Sequence, residues 1–191
     1  MTQLDLTAQG QQVKITAARR QKVVRVEPNG NVVLQVAVES ADIEAMGRRM
    51  AMPGGEPINL VLSSRGKLLR ASGGQAQSLN QFANQTEYPQ NSVKRGTEWS
   101  ALSTEGGVRY RIQYRVVGRE TVWGYETLKL AVTVNDITHP SQEVVSSEGH
   151  MWVDLATGVT VKVEMNFRKL RNPMLGPNPV DVRGKFVMHL Q

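Results

Sequence analysis

Three histidines, His139, His150 and His189, are the only side chains of this 191-residue sequence that titrate near neutral pH without help, which makes them the first candidates for proton-transfer or metal chemistry. None stands in a metal-binding pair. His150 and Asp154 share one face of a strand because their offset is even, but four residues of strand rise separate them by roughly 13 Å, too far to hold one metal without other ligands. There is no Gly-x-Ser-x-Gly elbow, and no serine stands in a sharp strand-to-helix turn beside a base, so a hydrolase triad has no support. The absence of cysteine removes disulfides, thiolate metal sites and a cysteine nucleophile together. The glycine pairs Gly54-Gly55, Gly73-Gly74 and Gly106-Gly107 do not open helices after buried strands, and they read as turns rather than phosphate cradles. Asp154 to Gly158, Asp-Leu-Ala-Thr-Gly, lacks the alternating oxygen ligands of a calcium loop and reads as the close of a hairpin. The expectation is a non-enzymatic chain with no catalytic residue, metal or cofactor. Its rival is an enzyme whose site is assembled from distant residues, with His150 or His189 in a cleft beside a carboxylate.

Binding residues are easier to nominate. Arg109, Arg111 and Arg115 form a basic stripe that raises nucleic-acid binding, yet Tyr110 and Tyr114 fall on the opposite side by parity. A single-strand binder needs rings and cations on one surface, so a solvated strand face is expected instead. The net charge of +6, from 23 Lys plus Arg against 17 Asp plus Glu, favours only weak attraction to anionic surfaces. Met46, Met50 and Met52 cluster in one stretch, and methionines adapt to irregular apolar partners. With Phe82 they are the candidate ligand-contacting residues, lining the mouth of an apolar site or forming a flap over the core. Trp123-Gly124 occupies a two-residue hairpin turn where Asn-Gly is usual, and a large ring at such a tip is exposed unless something covers it. Trp123 and Tyr125 are therefore the candidate interaction residues.

The elements that must position these residues are strands. From Arg109 to Val117, Tyr110, Ile112, Tyr114 and Val116 point one way while Arg109, Arg111, Gln113 and Arg115 point the other, as a half-buried strand requires. Thr127 to Asn135 and Val159 to Arg168 repeat the pattern, and shorter strands are predicted at Val13 to Ala17, Lys22 to Glu27, Asn31 to Glu39, Ile58 to Leu62, Lys67 to Arg70, Met151 to Leu155 and Val182 to Leu190. Turn signals at Pro28-Asn29-Gly30, Ser63 to Gly66 and Thr157-Gly158 leave no room for crossover helices, so an antiparallel meander follows. Two segments compete for helix. Gln75 to Asn84 sets Leu79, Phe82 and Ala83 on one short amphipathic face, and Asp42 to Met50 reads equally as helix or mobile loop. The Pro-rich piece Asn172 to Val180 reads as a loop before the last strand. The whole is expected to be one all-β domain over residues 1–191, a strongly curved sheet or half-open barrel. No apolar run is long enough for a membrane-spanning helix, and Met1 to Asp5 lack the pattern of a signal peptide, so the compartment stays open.

Several strand-and-turn signatures carry a resemblance: Tyr88-Pro89, Val93-Lys94-Arg95-Gly96-Thr97-Glu98-Trp99-Ser100, Tyr110 to Glu120, Gly124-Tyr125-Glu126-Thr127, Asp154 to Gly158, and the Leu34 to Leu69 succession of strand, Met-rich stretch, strand and turn. In these the chain resembles a loosely defined set of uncharacterised bacterial cell-envelope proteins and lipoproteins. The resemblance implies a fold similar to the lipoprotein-carrier half-barrels of the envelope, which hold acyl chains, and it carries over no catalytic residue. The leading functional expectation is an envelope domain that binds an apolar ligand or lipidated partner in a curved sheet. The alternative is a structural or assembly subunit that makes protein contacts through edge strands and the Trp123 tip.

Overall fold

A computed structural model describes residues 1–8, 11–73, 87–105, 107–139, 142–170 and 180–189. Within them the chain forms β1 (Thr2–Ala8), β2 (Gln11–Val26), β3 (Val32–Ala45), β4 (Arg48–Pro53), β5 (Ile58–Leu62), β6 (Leu68–Ser72), β7 (Glu98–Glu105), β8 (Val108–Val122), β9 (Tyr125–His139), β10 (Gln142–Asp154), β11 (Thr160–Leu170) and β12 (Val180–His189). All twelve join one antiparallel sheet in the order β6-β5-β3-β2-β1-β12-β11-β10-β9-β8-β7, with β4 on the far half of β3. Neighbours in space are mostly neighbours in sequence, as a meander requires. The exception is the middle, where β1 and β12, the strands nearest the two chain ends, pair from Thr2↔Met188 to Ala8↔Val182. The edges β6 and β7 are joined by the link 73–97 instead of by hydrogen bonds, so the sheet is open there and does not close into a barrel.

The alternation predicted from sequence sorts side chains across the entire sheet. Trp99, Tyr114, Val132, Gly149, Met165, Phe186, Leu4, Ile15, Ile43 and Met50 are successive cross-strand partners from β7 to β4. One inner face thus carries an apolar rung across ten strands, while outward positions hold Lys14, Arg20, Lys129, Lys162, Glu164 and Lys185. Burial is uneven along this face. Tyr114, Val116, Leu130, Val132, Met151, Val153, Val163 and Met165 form a buried core on the β8 to β11 side, against which Tyr88 and Val93 of the link pack. A smaller cluster, Leu34, Val36, Ile58 and Leu60, sits on β3 and β5. Between and beyond them Leu4, Ile15 and Ile43 are half-buried, and Met50 is exposed.

Two glycines allow neighbouring strands to approach closely. A Cβ at Gly149 would lie 1.9 Å from the Glu164 carbonyl oxygen, and one at Gly184 would lie 2.3 Å from that of Asp5. Only a residue without a side chain permits backbones to approach so closely.

The structure corrects the reading of Asp42 to Met50 as helix or mobile loop. Asp42 to Met50 is strand, turn and strand, because Ile43 opposes Met50 and Ala45 opposes Arg48 across a Met46-Gly47 turn whose φ values are 51° and 71°. Positive φ at both central residues is the two-residue hairpin geometry that suits the twist of antiparallel strands. The other predicted helix, Gln75 to Asn84 with its candidate Phe82, lies outside the described residues, as does nearly all of Asn172 to Val180.

Candidate functional site, an apolar cleft with a polar recess

The long strand β2 merges two segments predicted separately, and its pairing with β3 shifts register at Ala18/Arg19 and again at Val23/Arg25. Such bulges bend a strand and raise its twist. Here they carry Arg19, Gln21, Val23 and Val26 along the inner face and into one wall of a cleft of about 450 Å³. Val32, Leu34 and Val36 of β3 and Leu60 and Leu62 of β5 continue that wall. Facing it are the β10–β11 turn from Ala156 to Thr160 and the inner side chains Phe186 and Met188 of β12. The volume lies in the range of roughly 300 to 1,000 Å³ usual for small-molecule sites.

Two local structures brace the turns at the cleft's edge. Tyr88 of the link donates its backbone N–H to the Arg65 carbonyl at 2.8 Å and its hydroxyl to the Gly158 carbonyl at 3.5 Å, while Arg65 Nε donates to the Tyr88 carbonyl at 2.7 Å. The β5–β6 turn is thereby tied to the β10–β11 turn. In the latter, Asp154 Oδ2 accepts from the Thr157 hydroxyl at 2.5 Å and from its backbone N–H at 3.1 Å. These bonds, the hydroxyl first, hold the Asp154 carboxyl below the usual carboxylate range.

At one end the cleft adjoins a smaller recess of about 190 Å³, walled by Thr2, Arg19, Arg20, Gln21, Glu39, Met188 and His189 among others. Arg19, Gln21 and Met188 belong to both spaces. The two arginines are treated differently by their surroundings. Arg20 faces outward and pairs with Glu39 at 2.5 Å. Arg19 is half-buried, donates to Gln21 Oε1 at 3.2 Å, and has no carboxylate partner among the described residues. Burial lowers its pKa from the ordinary arginine value. His189 Nδ1 is buried without a hydrogen-bond partner among the described residues, and burial followed by the nearby Lys162 charge pulls its pKa down.

On the outer face a tryptophan is buried among charges. Trp152 is only 3% exposed, with the Lys129 and Lys162 ammonium groups 4.9 and 4.4 Å from its ring centroid. Its indole N–H donates to Glu120 Oε2 at 3.0 Å, and Lys129 pairs with the same carboxylate at 3.2 Å. The indole bond, then Lys129, keeps the Glu120 carboxyl below its ordinary pKa. This arrangement satisfies every charge it contains, as a covering layer does.

The residues nominated from sequence are dispersed. Met46, Met50 and Met52 lie on the β3–β4 hairpin and are exposed, and none of them lines the cleft, although Met50 and Met52 share the inner face by register. Trp123 does occupy the two-residue turn of β8 and β9, with φ of 50° beside Gly124 at 84°. Its ring packs edge-on against His189 at 4.9 Å, so the tip is partly covered by the domain itself, and Tyr125 beside it is exposed. His150 is 5.9 Å from the Trp152 ring, and no group of His, Asp and Glu among the described residues could hold a metal ion. Sequence reasoning missed Arg19 and Gln21. The available signal was parity, which carries the face of Val13, Ile15 and Ala17 through Arg19 and Gln21 to Val23 and so puts a cation on the apolar side.

The arrangement defines a class, an open two-faced antiparallel sheet with an apolar cleft beside a polar recess. No family model matches the chain, and neither does any curated protein. Among solved structures, the hypothetical lipoprotein YmcC from Escherichia coli (K12) is similar over 97% of this chain and 85% of that one, at 16% sequence identity and a TM-score of 0.31.

Proposed function

We propose that this chain is a non-enzymatic binding domain of the cell envelope that holds an acyl chain in the cleft between β2, β3 and β5 and the β10–β11 turn. The observation that carries the reading is the cleft wall itself. Val23, Val26, Val32, Leu34, Val36, Leu60 and Leu62 present a continuous aliphatic surface, and Val23 and Val26 remain 46% and 64% exposed within it. Exposed apolar side chains concentrated in a concavity gain free energy when an apolar ligand removes them from water, at about 25 cal/mol per Å² buried. An acyl chain suits the elongated row that parity produces along β2 and β3. The envelope setting rests on the sequence resemblance and adds the expectation that the natural ligand is a lipid or a lipidated partner. Among the described residues no helix is long and apolar enough to cross a membrane.

Native mass spectrometry of the chain with palmitate and with a phospholipid tests the proposal. Retention of one ligand per chain is the expected result. A spectrum showing the free chain alone at ligand concentrations approaching the solubility limit would remove it.

A further inference from the structure

The cleft's apolar lining says nothing about the end of the ligand that does not enter it, but Arg19 does. Ladder pairing sets Arg19 and Gln21 on the same face as Ala17 and Val23, at the boundary where the apolar cleft meets the polar recess. A guanidinium on an apolar face costs desolvation free energy unless an anion or several acceptors compensate it. Among the described residues Arg19 has one such bond, to Gln21 Oε1 at 3.2 Å, out of five available donors. The acid beside it is already engaged, since Glu39 pairs with Arg20. The neighbouring His189 contributes a buried Nδ1 without a partner among the described residues. An apolar slot that ends at an arginine with no carboxylate partner among the described residues matches a molecule with an apolar body and an anionic head, because the planar guanidinium donates two parallel hydrogen bonds to a carboxylate or phosphate.

We infer that the ligand is an anionic amphiphile, its acyl chain in the cleft and its carboxylate or phosphate head on Arg19. This rests on the acyl-chain reading of the cleft and adds the chemistry of the head group. The discriminating experiment is calorimetric titration of the full chain with three ligands of equal chain length, palmitate, monohexadecyl phosphate and hexadecanol, each below its aggregation concentration. The wild-type chain is expected to bind at least one of the two anions about tenfold or more tighter than the alcohol, a preference typical of one charge-assisted pair. Which anion wins assigns the head as carboxylate or phosphate, and equal binding assigns both. Arg19→Met should abolish the preference for the anions over hexadecanol, Arg19→Lys should retain part of it, and Arg20→Met should retain all of it. The wild-type comparison needs no variant, so a misfolded Arg19→Met chain does not shelter the inference. Equal affinity for alcohol and both anions, or a preference that survives in folded Arg19→Met, overturns the head-group assignment and leaves the cleft reading standing. Failure of all three ligands to bind overturns both.

Discussion

Gly149 shows how much of this architecture depends on single atoms. The Cβ that alanine would add there lies 1.9 Å from the Glu164 carbonyl oxygen and 2.8 Å from Met165 Cα, whereas one at Gly118 meets nothing within 4 Å. Gly149→Ala should cost about 3 kcal/mol or more through forced backbone separation, while Gly118→Ala should be neutral or stabilising by up to about 1 kcal/mol. Urea unfolding of the two variants checks this, and equal effects would mean that the close approach of β10 and β11 is wrong. The tryptophans offer a second contrast. Trp152 is buried, with its N–H bonded to Glu120, and Trp152→Ala should lose about 3 to 5 kcal/mol. Trp123 is 54% exposed in a left-handed conformation. That backbone costs about 1 to 2 kcal/mol for a bulky residue, and the edge contact with His189 offsets about 0.5 to 1.5 kcal/mol. Trp123→Asn should therefore leave stability within about 1 kcal/mol of wild type in the same experiment.

Among the elements, the long strands were legible because their polar and apolar residues sort cleanly. Tyr110 to Val116 against Arg109 to Arg115 fixes β8, and the same reading fixes β9 and β11. Three strands were not foreseen, each for a local reason. Thr2–Ala8 offers only Leu4 and Leu6 as an apolar pair, too short a pattern to register. In Glu98–Glu105 the outward Leu102, 75% exposed, interrupts the alternation set by Trp99 and Ala101. In Arg48–Pro53 the neighbouring glycines and Met spacing imitate a helix end. The cleft was illegible because its walls come from strands paired by the two chain ends, and no local window reports the β1–β12 pairing. Burial also ranks the elements. Leu130, Met151 and Val163 on β9, β10 and β11 are at most 1% exposed, while all six residues of β4 are exposed. Hydrogen exchange followed by mass spectrometry should find β9 to β11 slowest and β4 exchanging first, since local opening follows burial and pairing. Protection of β4 equal to that of β10 would show that something covers the β3–β4 hairpin.

For the molecule as a whole, the titrating groups agree in sign. His150 and His189 have pKa values lowered from the ordinary 6.5, both by burial first, so their contribution to stability is complete above that value and declines as pH falls from it toward the folded pKa. Asp154, Glu120 and Glu164 have carboxyl pKa values lowered by hydrogen bonds, from Thr157, Trp152 and Lys162 respectively, so theirs is complete above the unfolded values of 3.8 to 4.5 and is lost below them. Thermal melting should show stability declining in two stages on acidification, the first below about pH 6.5 and the second below about pH 4.5. A melting temperature that rises toward pH 5 would contradict the assignment of the histidines. The inner apolar face remains the centre of the account. Methyl NMR in the presence of a stearate carrying a nitroxide on its chain tests it directly. Signals of Val23, Leu34, Val36 and Leu60 should broaden while the outward Val145 and Val187 stay sharp, and broadening confined to the outward methyls, or none at all, would contradict it.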